Sequence, residues 1–365
     1  MLWPLPLPSI TDLSGVIHQR LSCNRETLRK IPSYQSALWF MGGAEALSYI
    51  CRHIASKHKK LVKLLLPSYF CGQSLRFLRN DGVDFGFYQL HNDLTPNLDS
   101  AVSLIDPQKR NLFLHVHYFG HFIDAQNSAD FCQRYGCLLI EDCAHIISPF
   151  AGMNFVGEFV LFAPHKQIPV KYGGLLFARS KLPDLTTEVQ QVSISWYLKR
   201  LLQRYLTRNK SWRRYREWEI VWSDDKQAVQ YSLPSPLEVE LLTKKLNQPQ
   251  VLVEARRSNA AKIAKLIESE DNLQLLKHFS QHDVPYIIGL RFTELSNLHK
   301  FSKALNQLRC PYMMWPDLPM ELVVAEGDFQ ADLDRTMLTL FLFVHEEIDI
   351  NKYVISIKKA LDAAK

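Results

Sequence analysis

The sequence lacks several features that mark other classes of protein. No apolar run approaches the ~20 residues that span a bilayer, and the apolar N-terminus over Met1–Pro8 has no positive region and is interrupted by prolines, so no signal peptide is expected. The seven cysteines are an odd number without metal-like clustering, which indicates reduced thiols in the cytoplasm and no metal site. The net charge of only +6 is compatible with an anionic substrate and does not require nucleic acid.

The chain is long enough, at 365 residues, for two packed domains, and its apolar content of 47% is typical of a soluble globular protein. Apolar segments that alternate with helical patterns predict an α/β fold with a mostly parallel, doubly wound sheet. A change of composition near Leu182 divides the chain into a large domain over 1–181, a helical connecting arm over 182–246 and a smaller C-terminal α/β domain over 247–365.

Individual elements follow from periodicity and from helix-breaking residues. The segment Ser36–Ile54, which contains the pair Gly42-Gly43, has the apolar spacing of a helix whose N-terminus is open to an anion. Strands are predicted over Leu61–Leu66, Gly82–Tyr88, Asn111–Tyr118, Cys137–Ile140, Gly173–Ala178, Pro285–Phe292 and Met337–Val344.

Two of the apolar runs end in residues that together suggest a chemistry. Leu138–Ile140 is followed by Glu141 and Asp142, and Phe159–Phe162 leads to Lys166. In open α/β sheets ligands bind at the carboxyl ends of strands, so both runs could deliver their polar residues to one edge. A carboxylate and a lysine in one cleft are the minimum that pyridoxal phosphate (PLP) needs, because the lysine bonds to the aldehyde and the acid holds a proton on the ring nitrogen.

Several segments in order resemble the DegT/DnrJ/StrS family of PLP-dependent sugar aminotransferases, which has the fold type I (aspartate aminotransferase-like) architecture. The likeness runs from about Leu38 to Ile357. Its most specific part is Glu141–His145, which resembles the family's Glu-Asp-x-Ala-(Gln/His). The resemblance implies that Asp142 pairs with the pyridinium nitrogen and that His145 lies close to the phenolic oxygen of the ring.

Phe162–Lys166, followed by Gly173-Gly174, resembles the family's Phe-Ser-x-x-Lys…Gly-Gly pattern. The resemblance implies that Lys166 forms the Schiff base and then moves the proton between the substrate carbon and the cofactor carbon. Lys171 is the fallback, since it lies nearer the glycine pair, although the family register favours Lys166.

Two further segments resemble parts of the family's cofactor site. Gly42–Leu47 resembles Ser-Gly-Thr-x-Ala-Leu, which implies that the backbone N–H groups of Gly43 and Ala44 bind the phosphate. Leu64–Cys71 resembles a strand followed by Pro-x-x-Thr and an aromatic residue. Tyr69 and Phe70 are both available, although Cys71 is most directly in register with the aromatic residue. Phe70 is predicted to stack on the pyridine ring, with an aromatic residue of the core as the equally weighted alternative.

The chain departs from the family in two hydroxyl groups that help to hold the phosphate. Leu161 and Ala163 occupy the region where a serine usually precedes the lysine, and Ala44 stands where threonine is common. A non-catalytic scaffold or binding homologue is therefore an alternative, as is a subgroup with phosphate ligands from a partner subunit. A third alternative is a PLP-dependent sugar dehydratase, because one branch of the family has histidine in place of the lysine and His165 adjoins Lys166.

Arginine and lysine alternate with aromatic residues between Trp196 and Trp218. Such a segment can bind nucleic acid, an anionic membrane surface or the diphosphate of a sugar nucleotide. The favoured interpretation is a helical arm with a solvated cationic face and a tryptophan-rich packing face at a dimer contact. Nucleic acid is not an expected partner, and contact with a membrane surface is not favoured.

Taken with the resemblance, these patterns predict a cytoplasmic homodimer that uses PLP. Its predicted reaction moves an amino group, from glutamate as donor, to a nucleotide-linked keto-sugar in glycan or secondary-metabolite biosynthesis. The motifs do not specify the sugar or the carbon that is aminated.

Overall fold

A seven-stranded sheet forms the centre of the N-terminal half of the chain. The computed structural model describes residues 33–147, 153–185, 187–206 and 220–364, together with residues 8 and 31. The strands of this sheet are β1 (Ser36–Phe40), β2 (Val62–Pro67), β3 (Asp84–Tyr88), β4 (Arg110–Val116), β5 (Leu138–Cys143), β6 (Phe159–Phe162) and β7 (Gly174–Ala178). Their spatial order is β1-β7-β6-β5-β4-β2-β3.

The five strands β2, β3, β4, β5 and β6 run parallel to one another, which confirms the predicted mostly parallel α/β sheet. They are apolar along most of their length because helices cover both faces of such a sheet. β7 lies between β6 and β1 and runs antiparallel to both, so β1 forms one edge of the sheet. The helix predicted over Ser36–Ile54 is wrong for its first five residues, which form strand β1. These residues form a strand because they pair with β7, more than 130 residues later in the chain.

Helices and short 3-10 turns connect these strands. They are α1 (Gly43–His58), α2 (Arg76–Asn80), α3 (Leu98–Val102) and α4 (Gln126–Tyr135), with 3-10 turns over Gly72–Leu75 and Pro164–Lys166. α1 packs on β1, β6 and β7, so its N-terminus lies near the residues that follow β6. Gly174 makes this close approach possible, because a Cβ added there would lie 2.5 Å from the carbonyl carbon of Gly42.

The C-terminal part of the chain forms a smaller antiparallel sheet. It contains β9 (Leu273–Leu275), β10 (Ile287–Phe292), β11 (Tyr312–Met314) and β13 (Thr339–Phe343), while β8 (Trp222–Ser223) pairs separately with β12 (Leu318–Pro319). The helices of this half are α5 (Ile194–Leu206), α6 (Pro236–Asn247), α7 (Gln250–Ile267), α8 (Leu295–Gln307), α9 (Gln330–Leu338) and α10 (Ile350–Ala364). The strand predicted to start at Met337 starts at Thr339, since α9 continues to Leu338.

The connecting region predicted as helical over 182–246 is helical only in α5 and α6 among its described residues. Residues 207–219 of the basic aromatic segment lie outside the described residues. Within α5, Tyr197 and Arg200 are buried, and the Arg200 guanidinium lies 5.4 Å from the centre of the Trp196 ring. Across the part of the chain that the structure describes, no helix is both long enough and apolar enough to span a membrane.

The two sheets meet through backbone contacts beside the carboxyl ends of the parallel strands. The N–H of Val284 donates to the carbonyl of Gly120 at 3.1 Å, and the N–H of Tyr286 donates to that of Phe119 at 2.9 Å. Gly120 has φ +96°, and a Cβ there would collide with the carbonyl oxygen of Val284. Glycine at this position therefore permits the contact, which brings side chains of the C-terminal part to the edge where Asp142 lies.

Candidate active site

A small cavity lies at the carboxyl ends of β4 and β5. Its lining includes Phe70, Tyr118, Asp142, His145, Lys166 and Trp315. The structure therefore brings together four of the predicted site residues, including the acid and the lysine. The cavity volume is about 30 Å³, which is room for about two water molecules.

Asp142 lies near the end of β5, where it pairs in register with Val116 of β4 and Leu161 of β6. Its side chain is buried, and Oδ1 accepts a hydrogen bond from the N–H of Ala144 at 2.9 Å. Burial raises the pKa of Asp142, while the positive charge of Lys166 and the bond from Ala144 oppose that rise. A cation placed beside this carboxylate would therefore stabilise its charged form.

Lys166 ends the 3-10 turn that follows β6, and its N–H donates to the carbonyl of Ala163 at 2.9 Å. Its side chain is half-buried. The charge of Lys166 lowers the pKa values of Asp142, His145 and Cys71, although burial has the largest effect on all three. Lys166 is thus the shared electrostatic neighbour of the residues around the cavity.

His145 follows β5 and is held as a neutral ring. Burial lowers its pKa well below the usual value, and the nearby charge of Lys166 adds to this shift. Its Nδ1 accepts a hydrogen bond from the N–H of Phe119 at 3.3 Å, so the proton of the neutral ring lies on Nε2. The ring stacks on those of Phe119 and Tyr286, with centroids 5.7 and 4.9 Å away. These contacts fix the plane of the ring, whose proton lies on Nε2.

Glu141 supports this arrangement from the opposite face of β5. Its side chain is fully buried, and Oε1 accepts hydrogen bonds from the N–H groups of Val156 and Gly157, both at 2.7 Å. Oε2 lies 2.9 Å from Nε2 of His117, whose Nδ1 accepts the N–H of Ile123 at 3.1 Å. One carboxylate therefore connects the strand that carries Asp142 to the segment that enters β6 and leads to Lys166.

The two residues predicted to bind phosphate lie outside the lining of the cavity. Of the residues that the structure describes, those lining the cavity include neither Gly43 nor Ala44. A Cβ added to Gly43 would lie 3.5 Å from Cδ1 of Leu161 and 3.7 Å from Cβ of Ala163. The α-carbon of Gly43 therefore faces apolar side chains, and phosphate binding by the N–H groups of Gly43 and Ala44 stays a prediction.

Both alternatives for the reactive side chain lie away from the cavity lining. Nδ1 of His165 donates to the carbonyl of Gly173 at 2.7 Å, and burial lowers the pKa of this histidine to about 4. The Lys171 ammonium lies 4.6 Å from the centre of the Tyr172 ring. Lys166 is therefore the lysine that shares a cavity with Asp142.

Sequence reasoning missed several residues that line the cavity. Trp315 reaches it from the segment after β11 and stacks on Tyr69, with centroids 4.3 Å apart. Cys71 and Ser74 line it beside Phe70, and the Cys71 thiol donates to Oδ1 of Asp317 at 3.0 Å. Burial, with the adjacent charge of Asp317, raises the pKa of Cys71 to about 12, so this cysteine is a neutral thiol. Ser74 follows the recognised Leu64–Cys71 segment and could have been found, whereas nothing local marks Trp315.

Solved structures share this fold at low sequence identity. An aminotransferase of pseudaminic acid biosynthesis, PseC from Helicobacter pylori, superposes with a TM-score of 0.71 at 13% identity, over 98% of both chains. DesV of S. venezuelae, in complex with a ketimine intermediate, gives 0.69 at 16% identity over 97% of this chain and 94% of its own. Spr1654 of Streptococcus pneumoniae in its PLP form gives 0.70 at 12% identity over 100% of both chains.

These structural matches establish the fold type I architecture. No curated protein matches the chain in sequence. A family model does match, over residues 87–306, which is more than half of the chain and includes Asp142, His145 and Lys166. The chain is therefore a member of the DegT/DnrJ/EryC1/StrS aminotransferase family, whose members use pyridoxal phosphate.

Proposed function

We propose that this chain is a PLP-dependent aminotransferase that moves an amino group from glutamate to a nucleotide-linked keto-sugar. The observation that carries the proposal is that Asp142 and Lys166 line one cavity at the carboxyl ends of the parallel strands. Family membership supplies the class of reaction. The nucleotide-linked acceptor, the glutamate donor, the homodimeric assembly and the cytoplasmic location are parts of this proposal that follow from the resemblance.

The donor set suits the ring end of PLP. Lys166 would bond to the aldehyde, Asp142 would bind the protonated ring nitrogen, His145 would donate from Nε2 to the ring oxygen, and Phe70 would contact the ring face. Burial raises the pKa of Asp142, and a positive charge on the ring nitrogen would oppose that rise and favour the carboxylate. PLP, when bound, supplies the electron sink that amino-group transfer requires.

The protein's own residues would then orient the reacting groups and carry protons. The amine of Lys166 would be suited to move a proton between the substrate carbon and the cofactor carbon, since it lines the same cavity as the ring-binding groups. His145 is held by its ring contacts and has its proton on Nε2, so it would fix the orientation of the ring oxygen. Burial of Asp142 keeps water from competing for its carboxylate.

The cavity must enlarge to admit the ring, because about 30 Å³ holds about two water molecules. Phe70 and Trp315 are bulky side chains of its wall whose displacement would create space. Trp315 belongs to the C-terminal part of the chain. Movement of that part relative to the parallel sheet is the simplest route to a larger site.

A non-catalytic homologue of the same fold is the second candidate. Two observations favour it, namely the small cavity and the apolar Leu161 and Ala163 beside the N-terminus of α1. It predicts that the purified protein fails to bind added PLP. The dehydratase alternative is less well supported, because Lys166 is present and His165 donates to Gly173 on the far side of the turn.

The proposal is tested by adding PLP to the purified protein and reducing with borohydride. We expect a yellow absorbance that reduction abolishes and a covalent adduct that peptide mass spectrometry locates on Lys166. Lys166→Ala should remove both signals. Lys171→Ala is the matched control, since Lys171 is a nearby lysine on the same loop that lies over Tyr172, and it should retain them.

Transfer itself is tested with glutamate and a panel of nucleotide keto-sugars. Formation of 2-oxoglutarate together with an aminated sugar nucleotide would support the proposed substrates. A wild-type protein that stays colourless at millimolar PLP and forms no adduct would instead favour the non-catalytic homologue. Light scattering would determine whether the active species is the proposed homodimer.

A further inference from the structure

The first turn of α1 already holds a negative charge. The helix begins at Gly43, and Gly42 before it provides no side-chain cap. Glu45 lies in this turn, and its carboxylate accepts a hydrogen bond from its own backbone N–H. A Cβ added to Gly42 would lie 3.1 Å from Oε2 of Glu45, so the carboxylate folds back over the helix end. Because the first N–H groups of a helix attract anions, the Glu45 carboxylate is favourably placed at this helix end.

Glu45 is also buried and paired. Only 15% of its side chain is exposed, and Oε1 lies 3.4 Å from Nη2 of Arg76. Burial raises the pKa of Glu45, and the charge of Arg76 acts in the opposite direction. The carboxylate is therefore held in a confined position between the helix end and a guanidinium group.

Arg76 is fixed by contacts that do not involve Glu45. Its Nη1 donates to the carbonyl of Gln73 at 3.1 Å, and its Nε donates to Oε1 of Gln227 at 3.0 Å. The guanidinium carbon lies 4.1 Å from the centre of the Phe77 ring. The guanidinium would therefore stay in place, with Nη2 available to another anion, if Glu45 moved.

The end of α1 lies next to the loop that carries the lysine. A Cβ added to Gly42 would lie 3.4 Å from Cε1 of His165, the residue before Lys166. The N–H of Gly173 donates to the carbonyl of Met41 at 2.9 Å, which keeps the loop against the helix end. A cofactor bonded to Lys166 and carrying a phosphate to α1 would therefore meet the Glu45 carboxylate there.

We propose that Glu45 occupies the phosphate position of the cofactor site in this chain, and that a cofactor phosphate must displace it and then bind Arg76. The inference rests on the proposed PLP function and concerns the affinity that its phosphate contributes. In the wild-type protein, phosphate binding would form interactions with the helix end and with Arg76. It would also break the interactions that Glu45 makes with both. The phosphate therefore contributes little net affinity until the Glu45 charge is removed.

The test compares PLP with pyridoxal, which has the same ring and aldehyde and no phosphate. Dissociation constants are measured by titration calorimetry for the wild type, Glu45→Gln and Glu45→Ala. Both variants should bind PLP about tenfold more tightly, which corresponds to about 1.4 kcal/mol, and their affinity for pyridoxal should stay within about twofold. In the Glu45→Gln background, Arg76→Gln should weaken PLP binding about tenfold without changing pyridoxal binding.

Asp99→Asn is the matched control. Asp99 also lies in the first turn of a helix, α3, and is exposed, so its substitution changes the net charge equally without touching the α1 site. It should leave both affinities unchanged. If Asp99→Asn increased the affinity for PLP as much as the Glu45 variants do, the effect would be due to overall charge and the inference would be overturned.

Two further outcomes separate this inference from the proposed function. In the first outcome, borohydride traps an adduct on Lys166, but Glu45→Gln and Glu45→Ala bind PLP no more tightly than the wild type, or their affinity for pyridoxal rises equally. The inference is then overturned and the proposed function stands. If no variant binds PLP or pyridoxal, the proposed function fails and the inference fails with it. Circular dichroism melting of each variant checks that it is folded before titration.

Discussion

Replacing Glu141 with glutamine should destabilise the protein, although the two side chains have nearly the same shape. The amide oxygen can still accept the N–H groups of Val156 and Gly157. The amide NH₂ group, however, would face Nε2–H of His117, donor against donor. His117 cannot move its proton to Nδ1 without losing the hydrogen bond from Ile123. One buried hydrogen bond is therefore lost, and the two facing donors, Nε2–H of His117 and the amide NH₂, are left unsatisfied.

The expected magnitude follows from these two losses. A hydrogen bond to a charged group contributes about 1.5–3 kcal/mol, and an unsatisfied buried donor costs about 1–3 kcal/mol, with overlap between the two. We expect Glu141→Gln to lower the free energy of unfolding by about 2–4 kcal/mol, measured by urea denaturation followed by circular dichroism. Glu254→Gln, an exposed substitution on α7, should change it by less than about 0.5 kcal/mol.

The reasoning is refuted if Glu141→Gln is as stable as Glu254→Gln. That result would mean that the contact between Glu141 and His117 is replaced at no cost, for example by rotation of the imidazole. A double-mutant cycle with His117→Phe would then show no coupling between the two positions, whereas the structure requires a coupling of about 1–3 kcal/mol.

Two other predictions concern the junction between the sheets. Gly120→Ala should lower the free energy of unfolding by more than about 3 kcal/mol, because the new Cβ would collide with the carbonyl of Val284. Gly82→Ala is the control, since Gly82 also has a positive φ but open space around it, and it should lower the free energy of unfolding by about 1 kcal/mol. Burial pushes the pKa of Asp283 up, but hydrogen bonds from His121 and two N–H groups outweigh it and lower the pKa to about 2. The resulting stabilisation, about 2 kcal/mol, is complete above the unfolded pKa of about 4 and is lost as the pH falls toward 2. The stability difference between the wild type and Asp283→Asn should therefore shrink between pH 6 and pH 3 in urea titrations, and a constant difference would contradict this account.

The parallel strands and the meeting of Asp142 with Lys166 could be predicted from the sequence because they depend on local pattern. β4, β5 and β6 are buried on both faces, so each appears as a continuous apolar run. The carboxyl ends of parallel neighbours share one edge of a sheet. A polar residue placed directly after each run is therefore brought to a common cleft without any further information.

Elements that depend on partners distant in sequence could not be predicted in this way. Ser36–Phe40 is a strand because β7 pairs with it, and its own residues do not alternate clearly between buried and exposed. α9 extends through Leu338 into a predicted strand, and its buried Asp332 and Arg335 pair with each other. Trp315 reaches the cavity only because Gly120 allows the two sheets to approach closely.

The two ends of the proposed cofactor site are positioned by different parts of the fold and can therefore change independently. The lysine end depends on the register of β5 with β6, in which Asp142 lies opposite Leu161. The phosphate end depends on the packing of Gly42 against Gly174, which sets where α1 begins. From the sequence alone, the missing hydroxyl groups near Leu161 and Ala44 predict only a lower affinity for the phosphate. The structure adds that a carboxylate occupies the same helix end, so the acid and lysine motifs alone do not determine how tightly this chain binds PLP. Affinity for PLP relative to pyridoxal measures the phosphate end separately from the lysine end.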